Sequence, residues 1–336
     1  MKPPIQHVAV LGAGAWGTTF AKVLADAGRD VVLWARRTSV AAAISLHRRH
    51  PDHLSDVSLP ESITATADLE EALRGAQSVL LAIPSQAMRE NLVVVRDLLP
   101  AEGPVVSLAK GIEVGTGQRM SELVAEVGRV DPSRIVVLTG PNLAREIADG
   151  NPTACVLACR DVDTGRAVQQ ASRTSYFRPY TITDVVGAEI AGTGKNVIAL
   201  ACGIAEGLGL GGNTTASLIT RGLAEMAALG EVLGASPATF AGLAGLGDLV
   251  ATCSSPLSRN RSLGIRLASG MSLDDAIAAA GGQIAEGVVS CRSVRDLARR
   301  HGVPMPITES VYRVCYQHLP PTRMIDLLMA GPHSAE

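Results

Sequence analysis

Of the 30 basic residues in this 336-residue chain, only four are lysine: Lys2, Lys22, Lys110 and Lys195. Arginine keeps its charge at any accessible pH, whereas a lysine ammonium can release and retake a proton. Lys195 lies in the run from Val185 to Cys202, whose only polar residues are Glu189, Thr193, Lys195 and Asn196. As a helix, that run is apolar nearly all round, which predicts a buried helix. One turn from Lys195 stand Ala191, Gly192, Ile198 and Ala199, all small or apolar. A lysine among such neighbours needs a partner, and the chemistry it offers is proton transfer shielded from water.

Other groups able to meet a ligand follow apolar runs. Val105–Leu108 delivers Lys110 and Gly111, and Ile135–Leu138 delivers Thr139, Gly140, Pro141 and Asn142. Asn142 also suits the cap of a helix running to Ala148. Gly245-Leu246-Gly247-Asp248-Leu249 sets one carboxylate between glycines, in what reads as a turn. Ser258-Arg259-Asn260-Arg261 gathers donors, and an arginine fork with neutral donors suits a phosphate dianion. Taken singly, Asp248 reads as a helix cap and the Ser258–Arg261 cluster as a solvated turn.

The elements that must hold these groups begin with the strand His7–Leu11, followed by Gly12-Ala13-Gly14-Ala15-Trp16-Gly17. A helix from about Trp16 to Ala27 ends at Gly28, and Val31–Trp34 is a second strand. Three glycines between a strand and a helix, inside a βαβ unit, predict a dinucleotide site. The first makes the tight turn, the second lets a pyrophosphate approach the backbone, and the third packs helix on strand. An acid at the end of the second strand would read the ribose of NAD. Val31 to Pro51 contains no acid, and the strand ends at Arg36 and Arg37, a pair suited to the 2′-phosphate of NADPH. Further α/β alternation follows, with strands near Ser78–Pro84, Ala154–Ala158 and Tyr176–Ile182. From about Thr183 the runs are helical throughout. The expected architecture is an α/β Rossmann-type dinucleotide-binding domain, residues 1–183, followed by an all-α domain, residues 184–336. Lys195, near the start of the first long helix of the second domain, would then lie in a cleft between domains.

Composition narrows the function classes. With 47% hydrophobic residues, a net charge of -2 and a pI near 6.4, no basic field advertises nucleic acid or an anionic membrane. The N-terminus runs at once into the glycine turn instead of a signal-peptide core, and no uncharged apolar run reaches the roughly 18 residues of a spanning helix. Six scattered cysteines fit reduced thiols in a cytoplasmic protein. His47, His50 and His53, among arginines and without a nearby carboxylate pair, read as a solvated loop and not as a metal site.

The motifs Gly12–Gly17, Lys110-Gly111, Gly140-Pro141-Asn142-Leu143-Ala144-Arg145-Glu146, Gly194-Lys195-Asn196-Val197, Leu218–Met226, Ala244–Leu249 and Ser258–Arg261 occur in one order. In them the chain resembles bacterial-type NAD(P)-dependent sn-glycerol-3-phosphate dehydrogenases, from near His7 to about His318. The resemblance implies reversible hydride transfer between NAD(P)H and C2 of dihydroxyacetone phosphate, yielding sn-glycerol 3-phosphate for phospholipid synthesis. It implies Lys195 as general acid and base, and Lys110, Gly140, Asn142, Asn196, Asp248, Ser258, Arg259 and Asn260 as substrate-binding residues. Gly12, Gly14, Ala15, Trp16, Gly17, Arg36, Arg37, Lys110, Ala144, Arg259, Ile284 and Glu286 would meet the cofactor. It also implies a homodimer, and no metal is required.

Two positions depart from the pattern: Ala15 stands where relatives often have serine, and Thr215 where they often have a basic residue. The nearest alternative is another reductase of this architecture, which would not need the Ser258-Arg259-Asn260 grip. A non-enzymatic cofactor sensor would need neither lysine. A P-loop at Gly194-Lys195 fails, because Glu189 occupies the required glycine position and Asn196 replaces Ser or Thr.

Overall fold

The computed structural model describes residues 4–280 and 285–329. Ile284, expected at the cofactor, lies outside the described residues. The chain divides into two compact units, Met1–Lys110 with Gln118–Ala188, and Gly111–Gly117 with Glu189–Glu336. The change of unit falls inside a helix, a few residues after the 183/184 boundary expected from the sequence, and the short excursion Gly111–Gly117 belongs to the second unit.

In the first unit the elements are β1 (His7–Leu11), α1 (Ala15–Asp26), β2 (Asp30–Trp34), α2 (Thr38–His47), β3 (Ile63–Thr66), α3 (Leu69–Leu73), β4 (Ser78–Leu81), α4 (Met88–Val95) and β5 (Val105–Ser107). They continue with α5 (Met120–Glu126), β6 (Ile135–Thr139), α6 (Ala144–Ala148), β7 (Thr153–Cys159), α7 (Val162–Ser172) and β8 (Phe177–Ile182). The strands form one sheet in the order β3-β2-β1-β4-β5-β6-β7-β8. β1 to β6 run parallel, β7 turns antiparallel to β6, and β8 pairs parallel with β7.

The central strands β1, β4, β5 and β6 are buried on both faces because both faces are covered. Val8, Val10, Leu80, Val106, Val136 and Leu138 join one core with Phe20, Val23 and Leu24 of α1. Their neighbours Ala9, Leu11, Val79, Leu81, Val105 and Ile135 join the other, beneath Met88 and Leu92 of α4 and Leu123 of α5. Successive side chains thus alternate between two cores, as the two-residue period of a strand requires. The order of connection reverses between β1 and β4, the kind of point where open α/β sheets bind ligands at strand carboxyl ends. The loops after β1, β5 and β6 carry Gly12, Lys110 and Gly140.

The long helix α8 (Val185–Gly207) passes from the first unit into the second. Val185 and Ala188 pack on Val137 and Ala158 of the sheet. In length and composition α8 could cross a membrane, but its residues are almost wholly buried within the protein, as in a core helix. The second unit continues with α9 (Gly212–Val232), α10 (Pro237–Ala241), α11 (Asp248–Ser254), α12 (Arg259–Ala268), α13 (Leu273–Ala278), α14 (Glu286–Arg300), α15 (Pro306–Tyr316) and α16 (Pro321–Met329).

Candidate active site

In the first unit the glycine turn is built as its spacing predicts. Gly12 has φ +118, and a Cβ there would stand 2.4 Å from the carbonyl oxygen of Ala82 after β4. A Cβ on Gly17 would stand 1.9 Å from the Gly12 oxygen, so α1 can approach β1 only with glycine at both positions. Nothing lies within 4 Å of a Cβ built on Gly14, which leaves that backbone open. Gly14 caps α1 without any side-chain bond, and the first turn, with Ala15 and Trp16, holds no acid. Unsatisfied N–H groups with a positive helix end make this a place for an anion. The indole Nε1 of Trp16 is buried without a partner. These features fit a dinucleotide pyrophosphate.

His50 corrects the expectation of a solvated histidine loop, for it is only 1% exposed. Its Nδ1 accepts from the N–H of Asp52 (3.1 Å) and of His53 (2.9 Å), which leaves Nε2 to donate to the Ala13 carbonyl at 2.8 Å. Burial is the main cause that lowers the His50 pKa below its usual 6.5. Arg36 and Arg37 follow β2 as expected, both exposed. Arg37 is ion-paired with Asp52, a contact the sequence reading did not foresee.

Lys110 donates to the Gly140 carbonyl at 3.0 Å, which joins the loops after β5 and β6. The expected Asn142 cap is absent, because Leu143 is the N-cap of α6. Instead both side-chain polar atoms of Asn142 are buried without a hydrogen bond. A buried amide left unsatisfied in both senses is one that a ligand would complete. Ala144 opens α6, and its carbonyl accepts from Thr19 Oγ1 at 3.2 Å, tying α6 to α1.

In the second unit Lys195 stands near the middle of α8, not at its start as the sequence suggested. It is 7% exposed and forms an ion pair with Asp248, which is 1% exposed. Lys195 Nζ also donates to Thr252 Oγ1 at 2.8 Å, and that hydroxyl donates to the Asp248 carbonyl at 2.6 Å. The carboxylate therefore compensates an ammonium that burial alone would penalise. Gly245–Leu249 is not a turn: Leu243–Gly247 forms a π-helical stretch that runs into α11, with Asp248 as its first residue. Thr252, one turn after Asp248, was missed because this stretch did not read as helix.

Asn196, next along α8, joins a different set. The Gly287 N–H donates to Asn260 Oδ1 at 2.8 Å, and Asn260 Nδ2 donates to Asn196 Oδ1 at 3.0 Å. Asn196 Nδ2 then donates to Glu286, at the start of α14, at 3.4 Å. A backbone N–H can only donate, so it fixes the orientation of both amides in turn. Ser258, Arg259 and Asn260 lie at the head of α12 and not in a solvated turn. Ser258 is the N-cap, its Oγ accepting from the Arg261 N–H at 3.3 Å, and the first turn carries no acid.

A family model described as NAD-dependent glycerol-3-phosphate dehydrogenase N-terminus matches residues 7–165, and one described as the C-terminus of the same enzyme matches residues 184–326. The chain belongs to the NAD-dependent glycerol-3-phosphate dehydrogenase family. It is 59% identical over 329 residues to a glycerol-3-phosphate dehydrogenase [NAD(P)+] of Corynebacterium glutamicum, covering 98% of this chain and 99% of that protein. It is 60% identical over 316 residues to one of Nocardia farcinica, covering 93% and 94%. A solved glycerol-3-phosphate dehydrogenase from Coxiella burnetii matches with a TM-score of 0.92 and 36% identity, over 98% of this chain and 100% of that one. As a member of this dehydrogenase family the chain is an NAD(P)-dependent oxidoreductase. Among the described residues, Lys195, Asp248 and Thr252 form one contact set, and Asn196, Asn260 and Glu286 another.

Proposed function

We propose that this chain catalyses reversible hydride transfer between NAD(P)H and C2 of dihydroxyacetone phosphate, giving sn-glycerol 3-phosphate, with NADPH preferred. The observation that carries the reading is the buried Lys195–Asp248–Thr252 set. Reduction of a ketone leaves an alkoxide oxygen that needs a proton, and a buried ammonium held in one direction by two partners is suited to supply it. In oxidation the same amine would take the proton back. The bound nicotinamide cofactor supplies or accepts the hydride, and the glycine turn with the head of α1 would hold its pyrophosphate.

The remaining roles follow from chemistry. Lys110 brings a second ammonium beside Gly140, and the unsatisfied amide of Asn142 offers both a donor and an acceptor. The head of α12 offers Ser258, Arg259 and Asn260 with no acid in its own first turn, which favours the dianionic phosphate of the substrate. Asn196 and Asp248 would orient substrate and lysine, and Ala144, Ile284 and Glu286 would line the cofactor. Two relatives above 50% identity, both named for glycerol-3-phosphate dehydrogenation with NAD(P)+, support the same activity. The reading extends to a cytoplasmic homodimer whose product enters glycerophospholipid synthesis.

The test is the loss of NADPH absorbance on adding dihydroxyacetone phosphate, in wild type and in Lys195→Met. The expected result is turnover in wild type and a fall in kcat of at least ~100-fold in the variant, with cofactor Kd little changed. Turnover with a non-phosphorylated keto acid but not with dihydroxyacetone phosphate would replace the substrate assignment.

A further inference from the structure

The absence of an acid between Val31 and Pro51 removes the carboxylate that would read a ribose from the strand end. The fold returns one from elsewhere. Asp52, the next acid along the chain, is ion-paired with Arg37, with side chains 46% and 60% exposed. Asp52 does not reach there on a loose loop. Its N–H is held by His50 Nδ1 at 3.1 Å, and the same ring is fastened to Ala13 of the glycine turn at 2.8 Å. Further along the loop, Asp56 binds Arg145 of α6 at 2.7 Å. The guanidinium beside Asp52 holds its carboxyl below the usual carboxylate range, so it is an anion at neutral pH. Arg36, by contrast, makes no ion pair among the described residues.

We propose that Asp52 is a specificity-determining residue that restrains the preference for NADPH and sustains use of NADH. The inference rests on the reading of Arg36 and Arg37 as the end of the site that meets the adenosine 2′ position. A 2′-phosphate arriving at Arg37 must displace Asp52 or sit beside its negative charge, and like charges in contact repel. A 2′-hydroxyl does neither, and it can donate a hydrogen bond to the carboxylate. Arg36 then carries the attraction for the phosphate, and Arg37 is shared between cofactor and Asp52. The site thus contains both readers at once, the arginine pair that follows β2 and an acid delivered by the loop after α2.

The experiment compares kcat/KM for NADPH and for NADH in wild type, Asp52→Asn, Asp52→Glu, Arg36→Ala and Arg37→Ala. Asp52→Asn keeps the backbone N–H on His50 and removes only the charge. It is expected to raise the NADPH-to-NADH ratio by roughly two- to fivefold, the range into which an exposed ion pair converts, with the gain shrinking at high salt. Asp52→Glu, which restores the charge, is expected to stay near the wild-type ratio. An unchanged ratio in Asp52→Asn while Arg37→Ala lowers it would overturn the role of Asp52 and leave the reading of Arg37 standing. The same shift in Asp52→Asn and Asp52→Glu would overturn it too, since loop distortion and not charge would then be the cause. If neither Arg36→Ala nor Arg37→Ala lowers the ratio, the 2′-end reading fails and the role of Asp52 falls with it.

Discussion

Lys195 and Asp248, a buried ion pair, join stability to the proposed chemistry. Removing one partner of a buried pair leaves the other charge unsolvated, at a cost of roughly 3–5 kcal/mol. Asp248→Ala is therefore expected to lower stability by about that amount in a denaturant melt. The double variant Lys195→Met with Asp248→Leu should recover much of the loss, because apolar groups of similar size can replace a buried pair. Activity should stay lost in both, and its recovery in the double variant would separate the lysine from the chemistry. His50 is a second residue of this kind. Its Nδ1 accepts two N–H bonds only while unprotonated, and burial lowers its pKa in the folded state. The protein therefore binds fewer protons there than the unfolded chain does. The contribution of His50 is present above the usual value near 6.5 and fades as pH falls below it. NADPH affinity of the wild type should weaken on acidification through that window, measured by fluorescence titration. His50→Ala should bind more weakly at every pH and lose part of that dependence.

Among the elements, α12 is the one whose placement matters most for the proposed phosphate grip. It crosses α8 with backbone nearly touching backbone. A Cβ on Gly264 would stand 2.2 Å from the Leu200 carbonyl oxygen, and one on Gly203 2.0 Å from that of Arg261. Gly264→Ala must push the two helices apart, with an expected cost of about 1–3 kcal/mol in thermal or chemical melts. Because Ser258, Arg259 and Asn260 head the displaced helix, KM for the phosphorylated substrate should rise more than that for the cofactor. An increase confined to the cofactor would contradict the assignment of α12. The same crossing explains why α12 was hard to read in advance. Its first turn is Arg-Asn-Arg-Ser, with no apolar stripe until Leu263, so the donors looked like a turn.

Across the whole molecule, the two units carry opposite responses to pH. Glu225 of α9 caps α15, accepting from the N–H of Ile307 at 2.6 Å and of Thr308 at 3.3 Å. Burial outweighs those bonds and pushes its carboxyl up to about 7. A raised carboxyl pKa means the folded state holds its proton more tightly than the unfolded one. Stability from Glu225 is thus present below the ordinary value of 4.5 and declines as pH rises from there through about 7. The His50 contribution runs the other way. Hydrogen exchange on the intact protein is expected to show the first turn of α15 better protected near pH 5 than near pH 8, with the loop around His50 and Asp52 showing the reverse. Glu225→Gln should flatten the α15 response and leave the other in place.

The strands and long helices were legible in the sequence because a parallel strand buried on both faces reads as an apolar run, and a buried helix as a longer one. β1, the glycine turn and α1 follow from the spacing of Gly12, Gly14 and Gly17, since the clashes at Gly12 and Gly17 are local consequences of backbone geometry. α8 begins at Val185 as its apolar run predicts and continues past Cys202 to Gly207. β3 was missed because only Ile63 of its four residues is buried, which leaves an edge strand without a pattern. The order of motifs along the chain already identified the family. What the sequence could not supply were contacts between residues far apart in the chain. Asp248 reaching Lys195, the amide relay from Gly287 to Asn196, His50 fastening Ala13, and Asp52 returning to Arg37 all depend on how elements pack. Composition and spacing record which groups a chain owns and which local shapes they favour. Which charge is compensated, and by whom, is decided only when tertiary packing removes water from between them.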